Sequence, residues 1–347
     1  MTKRMSGRAG GFSLIELLVA MTLGLFLMAG IGSVFIATGE ANRSNENLSR
    51  LQEAARTAFS MMARDIREAG INDCGRIDRV MNVLGAGGGP PPQWATWNNG
   101  VAGFDAGVAA PGLTSGAGFG ERVATEDALN IMKGASKGVS VVATLSPGGG
   151  QPASMQVTDE SPFEPGDIAI VCDFTQATIF QITNTNEAGG DERVVHNASG
   201  GESPGNCTMG LGWVVPRICS PAGRPYNYGP NSTILKFESM YWYIGNNGRA
   251  DSGGTSLFRM QLQNTGGVPA MVPQEVMEGV SGLQFQFLVD GAADYVDAAA
   301  VADWKQVLAV QIGLIFSGVA QERSAAGASE RVQRSYFNVV TLRNRVS

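Results

Sequence analysis

Histidine is scarce in this 347-residue chain, in which His196 is the sole example, and several common catalytic signatures are missing. Neither a P-loop nor an H-E-x-x-H motif occurs, which excludes the commonest nucleotide-binding and zinc-protease arrangements. The four cysteines form no C-x-x-C pair, which argues against a zinc site. The sequence therefore predicts a protein that is not an enzyme and that requires no metal or other cofactor.

Charge is almost missing from residues 12 to 36, which contain no Lys, Arg, Asp, Pro or His. Glu16 is the only formal charge in this segment. The segment is long enough to span a bilayer, because about 20 apolar residues cover the hydrocarbon core. A basic leader with Lys3, Arg4 and Arg8 precedes it, and the positive-inside tendency keeps such a leader in the cytoplasm. We therefore expect a membrane-spanning helix at 12–36, with the rest of the chain exported.

The run Gly10-Gly11-Phe12-Ser13-Leu14-Ile15-Glu16 resembles the N-terminal signal of type IV prepilins. In that family a dedicated peptidase cuts after the glycine and methylates the new N-terminal phenylalanine. The resemblance implies that residues 1–11 are a cleaved leader, with the cut between Gly11 and Phe12 and N-methylation of Phe12. An ordinary secretory signal would instead lose its whole apolar segment, and a plain signal anchor would leave Glu16 unexplained.

The position of Glu16 calls for an explanation, because an acid at mid-depth in a membrane costs about 2.5–3.5 kcal/mol and is usually functional. The resemblance implies that its carboxylate pairs with the amino group of Phe12, on a neighbouring chain or on its own. This pairing would bring a new subunit into register during assembly. In the alternative interpretation, Glu16 lies at headgroup level and interacts favourably with the helix dipole.

The helix is predicted to continue beyond the membrane, because residues 37–70 are amphipathic. No proline interrupts residues 12–70, and Gly70 supplies a stop signal. One helix of about 58 residues, about 87 Å long, is therefore expected. Its apolar face carries Leu48, Leu51, Ala55, Phe59, Met62, Ile66 and Ala69, and its polar face carries Arg50, Glu53, Arg56, Arg64, Asp65, Arg67 and Glu68.

Residues 71–347 are predicted to form one exported head that is rich in loops and β-strands. The Gly/Pro-rich segment 85–120 has no periodicity and is predicted to be a loop. Gly245-Asn-Asn-Gly248 marks a hairpin connection. The expected fold is α+β and pilin-like, with a long N-terminal helix and an antiparallel β-rich head. Strands are predicted at 139–145, 167–172, 178–182, 233–244, 255–263, 280–289, 307–316 and 336–342.

Four further motifs, spread along the chain, resemble the PilW family of minor type IV pilins. They are Asp65-Ile-Arg-Glu-Ala-Gly70, Gly166-Asp-Ile-Ala-Ile-Val-Cys172, Glu278-Gly-Val-Ser-Gly-Leu-Gln-Phe-Gln286 and Val340-Thr-Leu-Arg-Asn-Arg345. The resemblance implies a structural subunit that helps to initiate pilus assembly, sits in the tip complex and supports twitching motility. The implied partners are other minor pilins, the major pilin, the inner-membrane assembly platform and the prepilin peptidase. The implied location is the inner membrane, with a periplasmic head, and then the pilus.

The cysteine content agrees with export, because disulfides persist in oxidising compartments. Cys74, Cys172, Cys207 and Cys219 allow three pairings. We favour Cys207 with Cys219, which closes a short loop, and Cys74 with Cys172, which ties the end of the helix to the sheet.

The exported chain is acidic, because loss of the three leader bases takes the net charge from −6 to −9. This argues against nucleic acid as a partner, since affinity for phosphates comes mostly from clustered Lys and Arg. Bases do cluster near the C-terminus, where we expect them to flank edge strands. They are Arg323, Arg331, Arg334, Arg343 and Arg345.

Three alternatives stay open at this point. A minor pseudopilin of type II secretion, similar to the J component, would have the same signal, helix and head. A pilin-derived adhesin would use segment 85–120 as its binding loop and act in cell adhesion. A calcium site at Asp290, Asp294 and Asp297 is conceivable, but the spacing does not fit an EF-hand and a plain turn accounts for it.

Overall fold

The structure is a computed structural model that describes residues 13–70, 74–75, 78–97, 100–145, 153–158, 161–188, 191–198, 201–323, 329–343 and 345. It divides into two compact units. The first ends at Gln52 and contains most of the N-terminal helix. The second runs from Glu53 to Ser347 and contains the last turns of that helix together with the β-strands. The predicted α+β layout is confirmed.

Helix α1 runs over Leu14–Arg67, close to the predicted bounds. Ser13 caps its first turn, and Gly70 follows its end with a left-handed φ of 73°. Within the second unit the predicted apolar face is buried, at Ala55, Phe59, Met62, Ile66 and Ala69. The prediction for Asp65 is wrong. The helical spacing puts it on the polar face, but its carboxylate is buried against charged and aromatic side chains of the head.

The described residues contain fourteen strands, of which eleven form one sheet. The main path through this sheet is β1-β6-β5-β9-β3-β4-β8-β7, while β2 pairs with β3, and β10 pairs with both β9 and β11. The strands are β1 Val80–Asn82, β2 Val101–Phe104, β3 Ala128–Leu145, β4 Ser154–Val157, β5 Ile168–Cys172, β6 Ala177–Gln181, β7 Asn184–Ala188, β8 Asp191–Val195, β9 Thr233–Asn246, β10 Thr255–Thr265, β11 Val268–Glu278, β12 Val280–Val289, β13 Val307–Arg323 and β14 Ser329–Thr341.

Strand β9 is the centre of the large sheet, with β5 and β3 beside it and β10 paired at its end. Its residues from Met240 to Ile244 are all buried. The hairpin predicted at Gly245-Asn-Asn-Gly248 is confirmed, since β9 and β10 pair antiparallel on either side of it. Trp242 and its neighbours therefore lie deep in the head, where side chains on both faces of the strand are removed from water.

The remaining strands form a three-stranded antiparallel sheet in the order β12-β13-β14. Leu283, Phe285 and Phe287 of β12 are buried, whereas Gln284 and Gln286 are not. This alternation confirms the pattern expected of a half-buried strand. The sheet thus presents one apolar face to the core of the head.

Two features of the head differ from the prediction of antiparallel strands and a loop at 85–120. Strands β1 and β6 pair in parallel, in register from Val80 with Ala177 to Asn82 with Ile179. A parallel pair needs a long connection, and here strands β2, β3, β4 and β5 all lie between β1 and β6 in the sequence. Segment 85–120 is not entirely a loop, because it contains strand β2, in which Val101 and Ala102 are buried and pair with β3.

Candidate assembly helix and its anchor in the head

The first functional candidate is the apolar part of α1. Its large side chains from Leu14 to Ile36 are exposed, with Phe26 at 80% and Phe35 at 79%. The helix is long and apolar enough to cross a membrane. An exposed apolar surface of this length is unsuited to water, so it favours a lipid or protein environment.

Glu16 lies in the first turn of this helix. The backbone N–H of Glu16 donates a hydrogen bond to Oγ of Ser13 at 3.3 Å, so Ser13 is the N-cap residue and Glu16 occupies the third helical position. Ser followed three residues later by Glu is the capping-box pattern. The cleavage and methylation positions, Gly11 and Phe12, lie outside the described residues. The predicted pairing between Glu16 and the Phe12 amino group therefore stays a prediction.

The second candidate is the contact between the last turns of α1 and the sheet, which centres on the buried carboxylate of Asp65. Trp242 donates its indole N–H to Oδ2 of Asp65 at 3.0 Å. Arg259 places Nε 3.0 Å from the same oxygen and donates from Nη2 to Oδ1 at 3.2 Å. The Nζ of Lys133 is 4.0 Å from Oδ1. These contacts come from β9, β10 and β3, so one carboxylate joins the helix to three strands.

Lys133 extends this arrangement to two more acids. It forms ion pairs with Glu68, on the chain just after α1, and with Glu238 of β9, at 3.4 Å for the latter. The guanidinium carbon of Arg259 also lies 5.9 Å from the centre of the Trp242 ring. The anchor cluster consists of Asp65, Glu68, Lys133, Glu238, Trp242 and Arg259.

Burial has the largest effect on the pKa of Asp65, which it raises above the usual value. Arg259, Lys133 and the hydrogen bond from Trp242 oppose this effect and favour the ionised carboxylate. Such buried pairs are costly to break, because removing one partner leaves the other without compensation. The anchor cluster therefore fixes how the end of α1 docks on the sheet.

A close backbone contact lies next to the anchor cluster. Gly70 donates its N–H to the carbonyl of Met132 at 2.8 Å, and Met132 donates to the carbonyl of Gly100 at 2.8 Å. Gly100 has a φ of 86°, and a Cβ there would lie 2.1 Å from the nitrogen of Gly70. Only glycine fits this approach, which brings the segment after α1 against β3.

The two disulfides have the favoured pairing. Cys74 bonds to Cys172, with the Cα atoms 5.9 Å apart and a sequence separation of 98. Cys207 bonds to Cys219 over a separation of 12. The first bond ties the chain just beyond α1 to the end of β5. The second bond closes a short loop.

Two carboxylates that the sequence analysis did not single out attach the three-stranded sheet to the rest of the head, and a third holds the segment between β12 and β13. Glu126 and Asp127 accept hydrogen bonds from the backbone N–H groups of Leu283 and Phe285, each at 2.8 Å. Asp105 accepts from the N–H groups of residues 298 and 299. Burial raises the pKa of both Glu126 and Asp127. Isolated acids in a loop carry no local signal for this role.

Segment 85–120 is held in the head by a buried arginine that lies just beyond it. Arg122 is 1% exposed and donates hydrogen bonds to the carbonyls of Val108 at 2.7 Å and Glu126 at 2.6 Å, as well as to those of Phe104 and Asp105. Ala110 and Leu113 are buried in the same region. Much of the segment predicted to be a loop is thus packed structure.

No group of three or more His, Cys, Asp or Glu side chains that could hold a metal occurs in the described part of the chain. The carboxylates of Asp290, Asp294 and Asp297 are exposed. Asp297 accepts a hydrogen bond from the amide of Gln286 at 3.1 Å. These three residues lie on a turn and a short 3-10 segment after β12.

The sequence contains two G-x-S-x-G pentapeptides, at 134–138 and at 201–205, which resemble the nucleophile motif of serine hydrolases. The first lies within β3, and the second lies in a run of bends. Neither position is the sharp strand-to-helix turn that presents a catalytic serine. His196 is buried and packs edge-on against Phe180, with the ring centres 5.6 Å apart. The pentapeptides therefore do not form a nucleophile elbow.

An exposed apolar N-terminal helix followed by a disulfide-bonded β-rich head defines a pilin-like protein. Comparison with known families agrees, because residues 7–32 match the prokaryotic N-terminal methylation motif. Residues 241–344 match PilW, the type IV pilus-assembly protein W. The chain thus matches PilW-family type IV pilins and is a pilin-like, pilus-related protein. No curated protein and no solved structure matched the chain.

The matched families are structural components of pili and not enzymes. The methylation motif together with the apolar helix fits a membrane-anchored pilin. The PilW match begins within β9 and ends just after β14, so it includes Trp242 and Arg259 of the anchor cluster.

Proposed function

We propose that this protein is a minor pilin of a type IV pilus, a non-enzymatic subunit that helps to initiate assembly and sits in the tip complex. The observation that carries this proposal is the presence, in one chain, of the methylation motif at 7–32 and the PilW match at 241–344. Leader cleavage after Gly11 and methylation of Phe12 would release a helix whose apolar side chains bundle with those of other pilins.

Glu16 would have a specific role in that assembly. As a new subunit leaves the membrane, the Glu16 carboxylate would neutralise the Phe12 amino group of the neighbouring subunit. This pairing would offset the cost of an acid in an apolar environment. The partners are accordingly the other minor pilins, the major pilin, the inner-membrane assembly platform and the prepilin peptidase. The head would be periplasmic before assembly and at the cell surface afterwards.

Gene deletion tests the proposal, with pili and twitching scored beside enzyme secretion in the same strain. Lost pili and lost twitching with normal secretion is the expected result, and the wild-type gene should restore both pili and twitching. Normal pili with lost secretion would overturn it and identify the pseudopilin alternative. The PilW match supports the pilus over the secretion piston.

The adhesin alternative requires segment 85–120 to be a free binding loop. The burial of Val101, Ala110 and Leu113 supports a structural role for this segment instead. Deleting the segment would remove core residues, so a surface variant is the better test. Val108 is 49% exposed, and Val108→Ser should leave both piliation and surface attachment unchanged. Lost attachment with normal pili would favour the adhesin.

A further inference from the structure

A cavity of about 490 Å³ opens on the side of the head that carries the Cys207–Cys219 loop. The Arg–Trp pocket is this cavity, lined chiefly by Arg79, Gln176, Trp213, Val215, Arg224 and Tyr226. Its volume lies in the range of roughly 300–1,000 Å³ that is typical of small-ligand sites. All of these residues lie outside the segment that matches the PilW family.

Two arginines line the pocket, and one carboxylate, that of Asp173, is held at its wall by Tyr226. Arg79 lies over the ring of Trp213, with its guanidinium carbon 5.3 Å from the ring centre. Arg224 packs beside Gly212, because a Cβ added to Gly212 would lie 2.6 Å from Cγ of Arg224. Within the part of the chain that the structure describes, neither guanidinium has a carboxylate within 4.0 Å. Both side chains are exposed.

The pocket wall is held in place by buried hydrogen bonds. The amide oxygen of Gln176 accepts the backbone N–H of Trp213 at 2.9 Å, and its amide nitrogen donates to the carbonyl of Leu211 at 3.0 Å. Tyr226 donates its hydroxyl to Asp173 and packs edge-on against Tyr228. A wall that is already ordered loses little conformational freedom when a ligand binds.

The chemistry of the lining indicates the ligand. A guanidinium fork matches the planar oxygens of a carboxylate and the oxygens of a phosphate. The Trp213 and Tyr226 rings offer apolar surface, and the N–H groups of the two guanidiniums that the anion leaves unused can donate to hydroxyls. A sugar ring presents an apolar C–H face and a rim of hydroxyls, which suits such a mixed wall. We propose that the Arg–Trp pocket binds an acidic saccharide, with its carboxylate or phosphate between Arg79 and Arg224.

Calorimetric titration of the full chain in detergent tests this proposal with matched pairs of probes. Sialyllactose against lactose presents a carboxylate, and mannose 6-phosphate against mannose presents a phosphate. At least one acidic member should bind at least tenfold more tightly than its neutral counterpart. The pair that shows this difference identifies the anionic group.

Variants then locate the binding. Arg79→Gln and Arg224→Gln should each weaken binding of the acidic probe at least tenfold. Arg334→Gln, an exposed arginine of β14 outside the pocket, should leave it unchanged. The proposal is overturned if neither acidic probe binds at millimolar concentration, if the neutral probes bind equally well, or if the two pocket variants bind like the wild type. Equal binding of an acidic peptide without sugar would overturn the saccharide assignment.

Discussion

Trp242 donates its indole N–H to Asp65 across 3.0 Å, although the two residues are 177 positions apart, and both side chains are buried. The bond joins the last turns of α1 to the central strand of the head. Because water cannot reach the carboxylate, no solvent molecule replaces a lost protein partner there. The docking of the helix end thus depends on a buried polar contact within the anchor cluster.

Asp65→Ala should lower the free energy of unfolding of the head by about 3–5 kcal/mol, because it leaves Arg259 and the Trp242 N–H without their acceptor. Asp65→Asn keeps an acceptor for Trp242 and should cost less. Glu53→Ala removes an exposed acid from the same helix and should change stability by at most about 0.5 kcal/mol. Urea unfolding followed by tryptophan fluorescence measures all three. Equal costs for Asp65→Ala and Glu53→Ala would contradict the anchor role.

Glu16→Ala should leave leader cleavage largely intact and reduce the protein in sheared filaments about tenfold, which corresponds to about 1.4 kcal/mol. Glu16→Gln separates the two possible roles of this residue. Gln supports a capping box as well as Glu does but carries no charge. If charge pairing matters, Glu16→Gln should incorporate as poorly as Glu16→Ala. Wild-type amounts of either variant in the filaments would refute the pairing.

Because His196 is the sole histidine, its effect on the pH dependence of stability can be isolated by one substitution. Burial lowers the pKa of His196 to about 4 in the folded head, against 6.5 for an ordinary histidine. Between pH 6.5 and 4 the unfolded chain binds the proton and the folded head does not, so stability falls as pH falls through this window. The loss amounts to about 3 kcal/mol.

The comparison that isolates this effect is wild type against His196→Gln, with unfolding measured from pH 7 to pH 4. The raised pKa values of Asp65, Glu126 and Asp127 act in the opposite direction, because these acids take up protons more readily in the folded head. They are present in both proteins and cancel in the difference. Equal pH slopes for the two proteins would show that His196 is not kept neutral by burial.

The two disulfides should differ in their contribution to stability. The Cys74–Cys172 bond closes a loop of about 100 residues, which in the chain-entropy model is worth about 4.7 kcal/mol. The Cys207–Cys219 bond closes a much shorter loop and is worth about 3 kcal/mol or less. The double variants Cys74→Ala/Cys172→Ala and Cys207→Ala/Cys219→Ala should therefore be destabilised in that order. The reverse order in urea unfolding would contradict the entropic account.

Gly100→Ala should destabilise the head by about 1–3 kcal/mol more than Gly107→Ala. Both glycines have a left-handed φ, of 86° and 78°, so both substitutions strain the backbone. A Cβ at Gly107 meets open space, whereas one at Gly100 meets Gly70 and the carbonyl of Met132. Thermal unfolding of the two variants isolates the steric part. Equal losses would show that the chain around Gly70 can move aside.

The parts of the fold that the sequence predicts are those with a local pattern. Helix α1 follows from an unbroken apolar and then amphipathic periodicity, and the β9–β10 hairpin follows from its turn residues. Strand β11 was missed because it contains Pro269 and Pro273, which argue against a strand. It tolerates them because, among the strands that the structure describes, it pairs with β10 alone and is an edge strand. Strands β7 and β8 were missed because their residues are mostly polar.

The same distinction separates the functional residues. Glu16 and the four cysteines are visible in the sequence because a motif or a residue type marks them. Asp65 begins a family-like motif, but its buried role is not visible in the sequence, since its partners Trp242 and Arg259 lie 177 and 194 residues further on. Its helical spacing places it on the polar face, and only the three-dimensional arrangement of the strands removes that carboxylate from water.

The long separations in the anchor cluster have a consequence for the order of biosynthesis. In the proposed topology the chain leaves the cytoplasm from α1 onwards, so Asp65 emerges long before its partners on β9 and β10. The helix end can complete its contacts only after residue 259 has crossed the membrane. A chain that is truncated or stalled before that point therefore keeps an undocked helix end and is distinguishable from a finished subunit.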